Sequence, residues 1–183
     1  MISRAGLRVG GFLFAAALTA ACSSGGTKPH PSPTFSASAV ASQVTMADAK
    51  RCPVTLPRPF DPPPGVSQDD LFGSPRSYGN GKLWVGGLWP KGVIVGTPDF
   101  IEPDGSVGMK FGWWREVSGL LSITGRRLDA TARPLRADVP SGYGMKGFQA
   151  SGVHFPTEGC WEVIGRVGTT TLTFVTFVVK RAA

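Results

Sequence analysis

Two adjacent tryptophans followed by an arginine are the residues best suited to recognise a ligand. Trp113, Trp114 and Arg115 end a run in which apolar residues alternate with small or charged ones, as in a β-strand with one buried face. Only one indole can then face the core, and the alternation assigns Trp113 to it. Trp114 shares the opposite face with Lys110. We therefore predict a binding surface of Trp114, Arg115 and Lys110, which could stack on a ring-shaped group and attract an anionic partner. The alternative is that the proline-rich segment after Cys52 covers Trp114.

The residues that could support catalysis form no recognisable active-site pattern. His154 is the only histidine after residue 50, and no nucleophile motif of the G-x-S-x-G type accompanies it. Glu158 and Glu162 could form a glycosidase pair, but nothing in the sequence sets their separation, and surface charge is the simpler interpretation. Residues 142–147 match G-x-G-x-x-G, yet a strand is expected after them where a dinucleotide site needs a helix. We therefore assign no catalytic residue, cofactor or metal ligand.

The first cysteine indicates a lipid anchor. Residues 1–21 have a short basic start and an apolar run too short to span a membrane, which is typical of a signal peptide. The small residues directly before Cys22 resemble the lipobox of bacterial lipoproteins, although Thr19 occupies the position where leucine is favoured. In that family a diacylglyceryl group is attached to the cysteine sulfur, so the resemblance implies lipidation at Cys22. The alternative is an ordinary secretory signal that is cut after Ala21 or nearby.

The two remaining cysteines form an even pair. If Cys22 carries lipid, Cys52 and Cys160 are left together in an oxidising compartment. Free thiols and a zinc site are alternatives, but zinc needs more ligands, and His154 with Glu158 supplements them poorly. A disulfide between Cys52 and Cys160 is the simplest prediction.

The composition divides the chain into three parts and indicates an all-β fold. Residues 22–50 are rich in Ser, Pro and Ala and should form a disordered tether, whereas residues 51–183 are long enough for one domain. The 25 glycines and 16 prolines of the chain separate many short apolar runs, which favours strands over helices. We expect an antiparallel, immunoglobulin-like β-sandwich of seven or eight strands, with turns about every 8–12 residues. The spacing of Gly159, Trp161 and Val163 resembles the penultimate strand of immunoglobulin-like domains.

The net charge of +7 is modestly basic and suits attraction to anionic lipid or cell-wall polymers. Because no basic helix or recognition motif accompanies it, we expect no nucleic-acid partner.

Four further stretches carry a resemblance to a known family: residues 83–90, 109–115, 125–129 and 155–163. They are similar to an uncharacterised family of secreted bacterial proteins that is commonest in high-GC Gram-positive organisms. The resemblance spans about residue 50 to the end. It implies a single immunoglobulin-like domain on an exported, often lipidated chain, and it supplies no catalytic residue.

These features together predict a module without enzymatic activity on the extracytoplasmic face of the cell membrane. It would be anchored through lipid on Cys22, or secreted if the lipobox is not used, and would bind a protein or cell-envelope component. Two alternatives stay open. One is a cell-wall or glycan-active enzyme with an atypical site, and the other is a structural accessory subunit of a membrane complex.

Overall fold

The computed structural model describes residues 45–59, 63–71, 73 and 75–181. The predicted signal peptide, the predicted lipidation site Cys22 and most of the predicted tether lie outside the described residues.

Ten strands in the described part of the chain form two sheets, which confirms the predicted all-β sandwich. The strands are β1 Arg58–Pro59, β2 Arg76–Gly79, β3 Leu83–Gly86, β4 Val93–Gly96, β5 Val107–Arg115, β6 Leu121–Arg127, β7 Arg136–Asp138, β8 Gly147–Phe155, β9 Gly159–Val167 and β10 Thr170–Lys180. The front sheet has the order β1-β2-β3-β5-β8-β7, and the back sheet has the order β4-β10-β9-β6. Neighbouring strands pair antiparallel except β4 and β10, which run parallel.

Helical structure in the described residues is limited to single turns. They are α1 at Met46–Ala49 and 3₁₀ turns at Asp69–Leu71 and Pro98–Phe100. None of the described helices combines the length and apolar character that crossing a membrane requires.

The inner faces of the two sheets meet in one core. Alternate residues of β5 and β9 supply its centre, including Phe111, Trp113, Trp161 and Val163, as the alternation in the sequence predicts. Gly165 of β9 faces Trp113 across the sandwich, and a Cβ atom built on that glycine would overlap the indole ring. The absence of a side chain at this position therefore makes room for the largest side chain of β5.

The N-terminal segment of the domain crosses the outside of the back sheet. We call residues 52–59 the strap. Cys52 is joined to Cys160 by a disulfide with a Cα–Cα distance of 5.5 Å, which confirms the predicted pairing. The amide of Thr55 then donates to the carbonyl of Val175 in β10 at 2.8 Å. The strap ends in β1, which pairs with β2 at the edge of the front sheet.

A turn of helix precedes residue 51, the predicted start of the domain. The Asp48 carboxylate accepts a hydrogen bond from the amide of Thr45 at 2.8 Å and closes the turn α1. Ala49 packs against the apolar cluster around the disulfide. This turn lies within the segment that is predicted to form the tether, and the disulfide cluster offers it an apolar surface.

Candidate functional site on the front sheet

Half of the residues that line the outer face of β5 and β8 are small. Because side chains alternate along a strand, the residues of β5 and β8 that point away from the core form directly opposed pairs. These pairs are Gly108 with His154, Lys110 with Gly152, Gly112 with Ala150, and Trp114 with Phe148. The middle of this face is therefore low, whereas side chains rise from it at both ends.

A loop covers the part of this face that lies over β3. Leu71, at the end of the 3₁₀ turn, is completely buried. A Cβ atom on Gly86 would lie 2.6 Å from the Leu71 carbonyl oxygen, so this glycine lets the loop approach the sheet. On the other side of this loop, the face is open over β5, β8 and β7.

A groove of about 620 Å³ occupies the open part near the start of β5. Its floor contains Gly108 and Gly152, and Trp89 and Phe100 contribute aromatic walls. Phe100 is 44% exposed, although it is a large apolar side chain. The polar lining of the groove comes from the side chains of Asp99, Glu102, Lys110 and His154.

A second groove of about 580 Å³ lies on the side of β7 and includes Asp138, Pro140 and Ala150. Lys110 and Gly152 line both grooves, so the two are neighbours on the same face. We refer to the pair as the front groove. Together they cross three strands, each about 4.8 Å from the next.

His154 joins the two walls of the front groove. Its Nε2 atom lies 2.8 Å from Asp138 Oδ2, and its Nδ1 atom lies 3.6 Å from Glu102 Oε1. The Nδ1 atom is buried and has no hydrogen-bond partner among the described residues. A Cβ atom on Gly108 would lie 2.6 Å from Glu102 Oε1, so this glycine lets the Glu102 carboxylate approach β5.

The contacts of His154 with Asp138 and Glu102 indicate that its imidazole shapes the groove. Within the part of the chain that the structure describes, Asp138 is the hydrogen-bond partner of the imidazole, and no hydroxyl or thiol bonds to it. No group of three or more His, Cys, Asp or Glu residues within that part is arranged to hold a metal ion. The two glutamates considered as a catalytic pair are engaged elsewhere. Glu162 pairs with Arg126 at 2.9 Å, and Glu158 accepts from the Lys180 amide at 2.6 Å.

The predicted binding residues separate in the structure. Trp113 is buried in the core, which confirms its facing, and Trp114 lies partly buried on the outer face between Trp84 and Phe148. The Trp114 indole donates to Glu116 Oε1 at 2.6 Å. Lys110 lies four residues earlier, roughly 13 Å away along β5, and is the one predicted residue that lines the front groove.

Arg115 is buried, so the prediction that it flanks the Trp114 indole at the surface is wrong. It has the same parity as Trp113 and therefore points to the inner side of its strand. Its guanidinium donates to the carbonyl oxygens of Gly119 at 2.8 Å and Gly144, which lie in two loops, and of Gly147 at 3.3 Å, the first residue of β8. Burial lowers the pKa of the Arg115 guanidinium, and these acceptors replace the water that it has lost.

Comparisons of the chain with models of protein families, with curated proteins and with solved structures found no match. The residues of the front groove that the sequence did not single out are Trp89, Phe100, Glu102 and Asp138. They lie in loops, in a 3₁₀ turn or in the short edge strand β7. Their spacing in the sequence does not predict that they meet at one groove. The small residues opposite Trp113 in the alternation of β5 are the one signal that points toward an open face.

Proposed function

We propose that the protein is a membrane-anchored, extracytoplasmic binding module without enzymatic activity, and that the front groove is its binding site. The observation that carries this proposal is the groove itself. Each of its two parts falls within the roughly 300–1,000 Å³ that is usual for small-molecule sites. Because its floor is made of paired strands, the site is formed before any ligand arrives, which reduces the entropic cost of binding.

The alternative of a glycan-active enzyme has less support in the groove. A glycosidase uses two carboxyl groups that face a scissile bond, one as acid and one as base or nucleophile. Here the carboxylates of Glu102 and Asp138 both approach the same imidazole. This arrangement favours a role in shaping the site over a role in proton transfer.

The anchor and the location are proposals that rest on the sequence. The small residues before Cys22, the tether that follows and the family resemblance support a lipoprotein at the extracytoplasmic face. The immunoglobulin-like fold is likewise proposed, and the corner before β9 supports it. There the Trp161 indole donates to the Thr157 carbonyl at 3.0 Å, much as an aromatic residue bonds upstream backbone in immunoglobulin domains.

Metabolic labelling with a fatty-acid analogue tests the anchor. The wild-type protein should incorporate the label. A Cys22→Ala variant should not, because it lacks the sulfur to which the two acyl chains of a stable anchor are attached. Equal labelling of both proteins, or of neither, would rule out lipidation at this position.

Site-specific photocrosslinking tests the groove. Benzoylphenylalanine at position 100, in the aromatic wall, should yield an adduct in intact cells. The same residue at position 173, on the exposed outer face of the back sheet, provides the matched control and should yield none. The proposed site fails if both positions react alike or if neither reacts.

A further inference from the structure

The chemistry of the front groove identifies a class of ligand. We propose that the groove binds an uncharged, hydroxyl-rich oligosaccharide, an inference that rests on the binding function proposed above. It follows from the aromatic walls, the flat floor, the balance of charges and the pairing of the backbone beneath.

The walls and floor suit a pyranose ring. One face of a sugar ring presents C–H groups, which pack well on the electron-rich face of an aromatic ring. Phe100 offers such a surface because it is 44% exposed at the rim of the groove, with Trp89 in the same wall. The Glu102 carboxylate lies over Gly108, but Gly152 places no side chain on the floor, so a flat ring can approach the sheet there.

The polar groups suit hydroxyls. The side chains of Glu102 and Asp138 are 41% and 59% exposed, so each keeps acceptor positions open beyond its contact with His154. A carboxylate accepts strong hydrogen bonds from hydroxyl groups, and the exposed Lys110 can donate to hydroxyl or acetamido oxygens. Sugars supply donors and acceptors on one ring and match this mixture.

The charges of the groove disfavour an anion. Three carboxylates, those of Asp99, Glu102 and Asp138, line the two parts of the groove. Two cations stand against them: Lys110 in the lining, and Arg136, which pairs with Asp138 at 2.9 Å. A phosphate or polyanion would be repelled at the short distances that such a site imposes. An uncharged ligand avoids this cost.

The backbone beneath the groove disfavours an extended peptide. Strand-like peptides are usually bound by adding to a sheet edge, where backbone N–H and C=O groups are free. The groove instead lies over the face of β5 and β8, which pair along their whole length from Val107–Phe155 to Arg115–Gly147. Recognition here has to come from side chains, as it does for glycans.

The two parts of the groove indicate more than one sugar unit. They share Lys110 and Gly152, so a chain that occupies one part can continue into the other. We therefore expect the affinity to rise from a monosaccharide to a tetrasaccharide.

Calorimetry with the full chain in detergent micelles tests the inference. The probes are glucose, mannose, galactose and N-acetylglucosamine oligomers of one to four units, with a tetrameric polyuronate as the anionic counterpart. We expect at least one uncharged series to bind, with affinity increasing with length and changing less than twofold between 50 and 500 mM salt. The polyuronate should bind at least tenfold more weakly.

Two variants and a matched control locate the binding. Phe100→Ala should weaken binding at least tenfold by removing the stacking surface. Gly152→Val should abolish binding, because the added methyl groups fill the floor of the groove. The fold should tolerate this change, since a Cβ atom there makes only ordinary contacts, the nearest at 3.5 Å from His154, and valine suits a strand. Thr173→Val on the outer face of the back sheet should change nothing.

The outcomes separate this inference from the proposal on which it rests. Absence of binding in every uncharged series, or binding that neither groove variant reduces, overturns the oligosaccharide. If the photocrosslink at position 100 then still forms, the binding function stands and its ligand belongs to another class. If the crosslink is also absent, both proposals fail.

Discussion

At the scale of single residues, two glycines of the sandwich have opposite surroundings. Gly165 faces the Trp113 indole across the core, and a side chain there would overlap the ring. Gly152 lies on the floor of the front groove, where a Cβ atom would have room. The same substitution at the two positions should therefore have different consequences for stability.

Gly165→Ala should destabilise the domain by about 1–3 kcal/mol, the usual cost of overpacking a core. Gly152→Ala serves as the control. It should be neutral or slightly stabilising, because alanine restricts the unfolded chain more than glycine does. Chemical denaturation of the two variants measures the difference. Equal stability of both would mean that Trp113 can move aside without cost.

The Trp114 indole and the Glu116 carboxylate form a pH-dependent contact. The hydrogen bond from Trp114 Nε1, followed by that from Lys146, holds the pKa of Glu116 below its ordinary value of 4.5. A carboxyl group with a lowered pKa in the folded state stabilises the fold above its unfolded pKa. That contribution disappears as the pH falls through the lower, folded pKa.

We therefore expect the indole N–H resonance of Trp114 to shift as the pH falls below about 4.5, the ordinary pKa of the Glu116 carboxyl. Glu116→Gln should abolish this shift, because the amide does not titrate. A pH-dependent shift that persists in the variant would assign the effect to another group.

At the scale of elements, Arg115 connects two loops at one end of the sandwich. Its guanidinium donates to Gly119 in the loop after β5, to Gly144 in the loop before β8, and to Gly147 at the start of β8. The two loops also bond directly, since the amide of Gly119 donates to the Met145 carbonyl at 2.8 Å. A single buried side chain thus orders both connections.

Arg115→Lys should loosen both loops. Lysine keeps the charge but lacks the planar fork of donors, so buried carbonyls lose their partners at about 1–3 kcal/mol each. Hydrogen exchange at the Gly119 amide should accelerate markedly. Lys110→Met, an exposed change on the same strand, should leave that rate unaltered. Unchanged exchange in Arg115→Lys would show that the loops do not depend on the guanidinium.

Most long strands could be predicted from the sequence because they alternate, whereas most of the groove could not. The alternation that ends at Trp113 places this residue in the core, and the spacing of Gly159, Trp161 and Val163 falls within β9. A strand as short as β2, with four residues, carries too little alternation to be predicted. Phe100 and Glu102 approach β5 through a loop, and only three-dimensional contacts reveal that. The inward direction of the Arg115 side chain was predictable, because this residue follows Trp113 by two positions in β5. It was assigned to the surface because its side chain is charged.

At the scale of the whole molecule, the disulfide joins residues 108 positions apart. A loop of this size restricts the unfolded chain strongly, which in the entropic account amounts to roughly 4–5 kcal/mol.

Replacing both cysteines with alanine should lower the free energy of unfolding by up to about that amount, as measured by denaturant titration. Adding a reductant to the wild type should bring its stability close to that of the double variant, and the double variant should not respond to reductant. A wild type as unstable as the variant without reductant would mean that the bond contributes nothing.

The same disulfide determines where the domain carries mechanical load. A force that pulls on the chain ahead of Cys52 is transmitted to Cys160 through the disulfide before it reaches Thr55. The hydrogen bond from Thr55 to β10 therefore does not carry this force. Cys160 belongs to β9, which is paired on one side with β10 and on the other with β6. The force cannot detach the strap from the sheet first, because it acts on β9, which is hydrogen-bonded to a neighbouring strand on each side. Tension applied to the N-terminal segment therefore enters the sandwich at β9, the strand that supplies Trp161 and Val163 to the core.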